Sequence, residues 1–525
     1  MLKMDNYVFG ANILENLTTG MYQDSRVIYR EYIQNACDQI DVACQTGLLT
    51  TQMAGEISID INADTRKITI EDNATGIPAD SFQKTLANIA DSDKHVGEAK
   101  GFRGIGRLCG LAYCKEMVFT SKYKGEACIS IMKCDAERMR DMIDQNGRGM
   151  KHTAIDVLRQ IYSFSTEPCD CVDEHWFRVE LIDVNPVNHD LLDFQKIKDY
   201  LSFVAPVPYQ NKFWYRKSVY DHAATLGQKL DEYTITLNGE QVFKKYGTRF
   251  KTSKGSDDIF DVEFKDFYDA KGNLIAWMWI GLSHFKAIID KDCQMRGIRL
   301  RKENIQIGNE DALQKLFRED RGNHYFVGEV FAISQALIPN SQRDYFNENE
   351  TRSAFEKCLR DYFNEALYRF YHEGSAINSA FSKIDALQQK EEEHQRKMMN
   401  GDYVDDAQME EAAQAVEKAR EDAQKAERAL ARKRAATAGS SDSVVSRIIS
   451  RIDREREQTK TDNPDKEMTP PPPENTAKSK HRSDRLSQYN RRERKLISRI
   501  FSIIVSATDE KTAEQIISRI EDELQ

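Results

Sequence analysis

The sequence predicts an α+β fold for residues 1–195, with helices on one face of a mostly antiparallel sheet. Two stretches, Glu56-Ile-Ser-Ile-Asp-Ile-Asn62 and Lys67-Ile-Thr-Ile-Glu71, alternate polar and apolar residues with period two, and the turn between them completes a hairpin. Residues 12–46 instead repeat apolar positions at helical spacing. Further strands are predicted at 116–123, 127–134 and 177–184, and residues 135–175 read as an insertion of mixed character.

A second α/β region is predicted for residues 196–372. Its strand-like stretches are 233–237, 274–281, 297–300 and 325–333, and a helix over 350–371 closes it. Residues 373–438 are predicted to form a charged helix or a coiled coil, because part of this segment follows heptad spacing. The seam residues are Ala412, Val416, Ala419, Ala423, Ala426 and Leu430. Residues 439–485, with Pro470–Pro473 inside them, predict a flexible linker, and residues 486–525 predict a small helical element that docks or dimerises.

Bulk composition excludes several classes of protein. The formal net charge of −10 argues against a chain that coats nucleic acid over its whole surface, although it leaves room for a local basic patch. There is no run of eighteen apolar residues and no signal-peptide core at the N-terminus, so we expect no membrane association and a cytoplasmic location. The ten cysteines show no ligand spacing, so neither a zinc site nor a disulfide framework is expected.

The first motif is Arg30-Glu-Tyr-Ile-Gln-Asn-Ala-Cys-Asp38, inside the first predicted helix. Spacings of four and three place Glu31, Asn35 and Asp38 on one helical face. Polar groups there are costly unless they meet ligand or solvent. A carboxylate can activate water, and an amide oxygen one turn later can ligate Mg²⁺. An ordinary solvated face explains such a string alone equally well.

Two further motifs follow. Asp72-Asn-Ala-Thr-Gly76 comes directly after a predicted strand, where a carboxylate can accept a hydrogen bond from a base and a glycine permits close approach. Gly101-Phe-Arg-Gly104-Ile-Gly106 enters a predicted apolar helix, and its backbone N–H groups can cradle an anion. Each motif alone is weak evidence. Their order within eighty residues is specific.

In this order the motifs resemble those of the GHKL ATPases, which include gyrase, the ninety-kilodalton heat-shock chaperone, histidine kinases and MutL proteins. The sequence looks most similar to the heat-shock chaperone and its bacterial relatives, with the microrchidia family nearby. Ile89-Ala-Asp-Ser92 is similar to a stretch of the chaperone just before its lid. The resemblance implies a Bergerat-type ATP pocket in residues 1–195 and a transducer-like domain in residues 196–372.

The resemblance also implies roles for individual residues. Glu31 is expected to be the general base, Asn35 the Mg²⁺ ligand, and Asp72 the reader of adenine with Gly76 packed beneath it. Gly101, Gly104 and Gly106 are expected to hold the phosphates. Further members of the expected cofactor site are Arg30, Asp38, Ile77, Asn88, Ser92, Phe102, Arg103 and Ile105.

A later loop, Leu337-Ile-Pro-Asn340-Ser-Gln-Arg343-Asp344, looks like the middle-domain loop of the chaperone. The resemblance implies that Arg343 reaches the γ-phosphate and that Asn340 supports it, with a surface salt bridge as the alternative for Arg343. Rival cations are Arg296, Arg299, Arg301 and Lys302. The sequence departs from the family at Ala74, where many relatives have glycine. It also lacks the expected Gly-Thr before a later pocket strand, since Phe177-Arg-Val-Glu-Leu has no threonine and Thr153 lies upstream.

The leading hypothesis is Mg²⁺-dependent ATP binding and hydrolysis that drives a dimeric clamp or chaperone-like cycle, with a homodimer formed on ATP binding. The client is a protein or a nucleic acid. Basic runs at 432–434, 478–482 and 491–495 favour nucleic acid, although such runs are usually solvated faces. The alternatives are a non-hydrolysing ATP-bound adaptor and a nucleic-acid-associated defence ATPase that acts with a partner effector.

Overall fold

The computed structural model describes residues 9–18, 20, 24–89, 100, 104–147, 149–437, 443–461 and 519–520. The chain divides into two units, residues 1–456 and 457–525. The first unit contains both sheets and the candidate site. The second is described only at residues 457–461 and 519–520.

Eight strands form the first sheet. They are β1 (Glu56–Asn62), β2 (Lys67–Asp72), β3 (Glu116–Lys122), β4 (Cys128–Asp135), β5 (Tyr162–Pro168), β6 (Trp176–Ile182), β7 (Thr234–Leu237) and β8 (Glu240–Gln241). The order is β5-β4-β3-β6-β2-β1-β7-β8, and only the β1–β7 pair is parallel. The predicted α+β fold is therefore confirmed.

The hairpin β1–β2 shows why these residues form strands. Ile57, Ile59 and Ile61 alternate with polar residues along β1 and point into the core, and Ile68 and Ile70 do so along β2. The two strands pair in register from Ile57 opposite Asp72 to Asn62 opposite Lys67. This register leaves Asp72 as the last residue of β2, at the edge of the candidate site.

Seven helices accompany this part of the chain in the described residues. They are α1 (Asn12–Leu17), α2 (Val27–Gln45), α3 (Ala79–Ala87), α4 (Ala136–Gly147), α5 (Ala154–Ile161), α6 (Phe194–Val204) and α7 (Arg216–Thr225). The prediction of one helix over 12–46 is wrong. Thr18 leaves helical geometry and its hydroxyl donates to the carbonyl of Leu14, so α1 ends there. The apolar spacing continues on both sides of the break, so it does not reveal two helices.

The second sheet belongs to the region after residue 241. Its strands are β9 (Arg249–Thr252), β10 (Gly255–Asp258), β11 (Asp261–Tyr268), β12 (Leu274–Leu282), β13 (Gly297–Lys302), β14 (Ile305–Ile307) and β15 (Val327–Ala332). Five of them form a sheet in the order β11-β12-β15-β13-β14, while β9 and β10 pair as a separate hairpin. The stretch at 233–237, which the sequence pattern grouped with this region, instead pairs as β7 with β1 of the first sheet.

A buried polar cluster ties the second sheet to the segment that follows α6. Glu329 of β15 pairs with Arg301 of β13 and with Lys244, and all three side chains are completely buried. Tyr246 donates to Glu329, and Arg301 also donates to the carbonyl of Phe203 at the end of α6. Buried charges are stable only when they are paired and hydrogen-bonded, so this cluster fixes the sheet against α6.

Long helices complete the first unit. They are α8 (Glu350–Tyr362), α9 (Tyr368–Asn400), α10 (Asp406–Thr437) and α11 (Val444–Thr461), with a π-helical turn Phe363–Leu367 between α8 and α9. The helix predicted over 350–371 thus continues to residue 400. Gly401 (φ +66°) ends α9, and ion pairs Arg420–Glu391 and Lys433–Glu373 show that α10 runs back along it.

The predicted heptad seam packs within the chain. Ala419, Ala423, Ala426 and Leu430 are buried, and α10 lies against α9 of the same molecule. Residues 444–461, predicted to be linker, form α11, whose Arg447 pairs with Asp261 and Glu263 of β11. The remainder of the predicted linker, and residues 486–525 apart from 519–520, lie outside the described residues. None of the helices in the described ranges is both long and apolar enough to cross a membrane.

Candidate functional site

Helix α2 carries the first group of predicted site residues. Glu31 and Asp38 are buried, at 8% and 4% exposure, whereas Asn35 is half-buried. Their spacing of four and three residues places them on one side of the helix. Two buried carboxylates on one helix face are costly unless each is held by donors, and the structure supplies those donors.

Glu31 lies between a guanidinium group and a glycine. Its Oε1 accepts hydrogen bonds from Arg30, 3.1 Å from Nη2 and 3.3 Å from Nε. A Cβ on Gly106 would lie 2.5 Å from the other oxygen, Oε2. Gly106 is therefore needed for this position of the carboxylate, in addition to the phosphate contact implied by the resemblance.

Asp38 is held by a residue that no sequence motif indicated. The backbone N–H of Lys100 donates to Asp38 Oδ1 at 2.7 Å. The ammonium group of Lys100 lies 2.5 Å from Asp41 and 3.4 Å from Asp231. Burial opposes the charge of Lys100, but these two carboxylates outweigh it and raise its pKa. The only sequence signal was Asp41, one turn beyond Asp38 on α2.

Asp72 ends β2 and is 5% exposed. Its Oδ1 accepts the N–H of Ala74 at 3.1 Å, which forms a tight turn. Burial raises the pKa of Asp72 to about 7, because one backbone donor does not replace the lost hydration of the carboxylate. The departure at Ala74 causes no strain, since Ala74 is completely buried in the core and its carbonyl bonds to the ring Nδ1 of His175 at 2.7 Å.

The turn after Asp72 is fixed to the sheet. Gly76 has φ +67°, and a Cβ there would overlap the carbonyl oxygen of Lys122 on β3. Ile77 exchanges two hydrogen bonds with the hydroxyl of Ser121, which donates to the Ile77 carbonyl and accepts its N–H. Thr75 donates to Gln39 of α2 at 3.0 Å. Only glycine fits at position 76, and the Thr75 contact joins the second motif to the first.

A loop from the second region reaches this site. A bridge between Pro339 and Phe346 closes the loop, and Arg343 sits in it with φ +55°. The Arg343 guanidinium donates to the carbonyl of Lys100, and Arg30 donates to the carbonyl of Gln342 at 3.2 Å. Burial lowers the pKa of Arg343, although the nearby Glu31 carboxylate opposes this effect.

Asn340 has a local role in that loop. Its carbonyl accepts the N–H of Arg343 at 3.1 Å, and its amide donates to Asp344. The rival cations serve the second sheet instead. Arg299 donates to Gln306, Arg301 pairs with Glu329, and Lys302 donates to the carbonyls of Ile333 and Ser334.

The glycine-rich segment is described only in part. Gly104 has φ +68°, Ile105 is half-buried, and Gly106 opens a 3₁₀ helix, Gly106–Ala112, where a longer apolar helix was predicted. Asn88 is half-buried at the end of α3. Four predicted site residues, Ser92, Gly101, Phe102 and Arg103, lie outside the described residues. Thr153 caps α5 through a reciprocal pair of bonds with Asp156, so it supplies no pocket contact.

The structure therefore brings Arg30, Glu31, Asp38, Gly106 and Arg343 together around Lys100. Asp72, Gly76 and Ile77 lie at the sheet side of α2, and Asn340 supports the Arg343 loop. Asn35 is compatible with a cation, because its half-buried amide makes no hydrogen bond to any residue that the structure describes. An amide oxygen is a ligand type that Mg²⁺ accepts.

Comparison with known proteins assigns this segment to a family. Residues 30–165 match the family model described as "Histidine kinase-, DNA gyrase B-, and HSP90-like ATPase", which confirms the resemblance to GHKL-type ATPases. Two similar proteins are the chaperone proteins HtpG of Nitrobacter winogradskyi (33% identical over 87 residues) and Nitrobacter hamburgensis (32% over 87 residues). Each alignment covers 16% of this chain and 14% of the relative. The likeness thus extends to a small part of those chaperones.

Proposed function

We propose that the chain binds ATP with Mg²⁺ between α2 and the turn after β2, and that it hydrolyses this ATP. The convergence of Glu31, Gly106 and Arg343 carries the proposal. Glu31 belongs to the first motif and Arg343 to a loop whose Gln342 lies 312 positions from Arg30, which it contacts. A buried carboxylate and a buried cation from two regions suit a reaction that moves negative charge between phosphoryl oxygens.

Asp72 is the proposed adenine contact. The exocyclic amino group of adenine donates a hydrogen bond, and an ionised carboxylate is its strongest acceptor. Because burial raises the pKa of Asp72 to about 7, ligand binding at neutral pH favours the ionised form and is coupled to proton release. Gly76 leaves room for the base, since any side chain there would already clash with Lys122.

Glu31 is the proposed general base. A water molecule attacks the γ-phosphorus and passes a proton to the Glu31 carboxylate, while the bond from that phosphorus to the bridging oxygen breaks and ADP leaves. Arg343 stabilises the charge on the γ-phosphoryl oxygens. Mg²⁺ neutralises β- and γ-phosphate charge when bound, and Asn35 is the residue that offers it an amide oxygen.

Arg343 gives hydrolysis a mechanical consequence. Its loop belongs to the proposed transducer-like region, residues 196–372, so forming or losing its contact with the phosphate biases how that region sits on residues 1–195. We propose that this bias drives a clamp-like or chaperone-like cycle of a homodimer, with a protein or nucleic-acid client. The partial likeness to the HtpG chaperones supports this cycle.

The test is steady-state ATP hydrolysis by the purified protein beside Glu31→Ala, Asp72→Asn and the surface control Asp60→Asn. We expect turnover by the parent and the control, ATP binding without turnover by Glu31→Ala, and weak ATP binding by Asp72→Asn. Light scattering with and without a non-hydrolysable ATP analogue tests the dimer. Binding without turnover above the Glu31→Ala background would support the non-hydrolysing adaptor, and no nucleotide binding at all would refute the proposal.

A further inference from the structure

A cleft of about 630 Å³ lies beside the candidate site, between the start of α2, α6 and the second sheet. Arg30 and Arg343, which hold the catalytic side of α2, also line this cleft. Glu31 and Asp72 are not among its lining residues. The two arginines therefore separate the proposed γ-phosphate position from a second open space.

The lining of the cleft is cationic. Seven lysine or arginine side chains line it, against four carboxylates. Arg26 is paired with Asp24, Lys196 with Asp190, and Arg30 with Glu31. The remaining cations are Lys291, Arg296, Arg299 and Arg343. A cleft with one dominant sign of charge concentrates ligands of the opposite sign.

These remaining cations have little compensation from carboxylates. Arg299 is 5% exposed, its nearest carboxylate oxygen belongs to Glu310 at 3.9 Å, and its Nε is buried without a hydrogen-bond partner. Arg343 is 7% exposed and donates to a backbone carbonyl. Within the described residues, Arg296 is half-buried and forms no ion pair. Buried guanidinium groups without carboxylate partners are stabilised by an anion.

We infer that this cleft binds the inorganic phosphate released by hydrolysis, on its way from the γ-phosphate position to solvent. The inference rests on the proposed function for the source of the anion, since hydrolysis produces phosphate on the other side of Arg30 and Arg343. The planar, forked donors of arginine suit the oxygens of phosphate. The volume holds phosphate together with water, and the exposed Lys291 lies on the lining where it can meet solvent.

The experiment measures binding of inorganic phosphate to the full chain by equilibrium dialysis, without nucleotide and with a saturating non-hydrolysable ATP analogue. The test variants are Arg296→Gln and the exposed Lys291→Gln, and the matched control is Arg249→Gln on the surface of β9. We expect Arg296→Gln to weaken phosphate binding at least five-fold, Lys291→Gln to weaken it less, and Arg249→Gln to leave it unchanged. ATP affinity should stay within two-fold in all three variants.

Because phosphate binding is read without nucleotide, its result is independent of whether the chain hydrolyses ATP. In turnover, Arg296→Gln should raise the phosphate concentration needed for half-inhibition by the same factor. Displacement of all bound phosphate by the ATP analogue would place it in the nucleotide pocket and overturn the inference. Equal phosphate affinity in parent and Arg296→Gln would also overturn it, as would tight, Arg296-dependent binding of a single-stranded oligonucleotide that excludes phosphate.

Discussion

Replacing Asp72 by asparagine should stabilise the protein while weakening its affinity for ATP. The carboxylate is buried, and its pKa rises from 3.8 to about 7. Between these pH values the folded chain holds a proton that the unfolded chain has released, so the free energy of unfolding falls as pH increases. Above pH 7 the destabilisation is complete, and about 1.4 kcal/mol per pKa unit sets an upper limit of about 4 kcal/mol.

The predicted gain therefore depends on pH. Integration between the two pKa values gives a gain for Asp72→Asn that is larger at pH 8 than at pH 5 by about 2.5 kcal/mol. For a unit of 150–250 residues this difference corresponds to roughly 5–10 °C in unfolding temperature. Scanning calorimetry at both pH values measures it, with Asp60→Asn on the exposed side of β1 as the control.

ATP should reverse the order of stability. At a concentration one hundred times its dissociation constant, a ligand stabilises the folded state by about 2.7 kcal/mol. The parent should show this gain, and Asp72→Asn should show much less, because the neutral amide loses the charge-assisted hydrogen bond to adenine. A gain in stability of the same size at pH 5 and pH 8, or an undiminished response to ATP, would refute the reasoning about Asp72.

Two further substitutions test how Glu31 and Arg343 are held. In Gly106→Ala the new Cβ would lie 2.5 Å from Glu31 Oε2, so the carboxylate must shift while the fold stays intact; we expect kcat to fall roughly 10- to 100-fold. Gly247→Ala, where nothing lies within 4 Å of the new Cβ, is the control, and unchanged kcat in Gly106→Ala would contradict the assigned position of Glu31. In Lys100→Met the loss of the ion pairs with Asp41 and Asp231 frees the backbone carbonyl that accepts from Arg343, so kcat should fall about ten-fold with ATP affinity within two-fold. Lys100→Arg should recover most of the rate, and fully additive losses in the double variant with Arg343→Ala would show that the two residues act independently.

The local sequence by itself determined the strands and the helix that carry the motifs. Period-two alternation identified β1 and β2, because every second side chain must enter the core, and the spacing in Arg30–Asp38 placed Glu31, Asn35 and Asp38 on one face of α2. The resemblance of the ordered motifs to GHKL ATPases was likewise visible in the sequence and is confirmed by the family match over residues 30–165.

Tertiary structure alone decided which distant groups meet. Pairing of β7 with β1, the ion pairs of Lys100 with Asp41 and Asp231, and the approach of Arg343 to Lys100 join residues far apart in the chain. The break between α1 and α2, and the return of α10 onto α9, were hidden for a related reason. Periodicity reports which face of a segment is apolar, but it does not report where the segment turns or which surface covers that face.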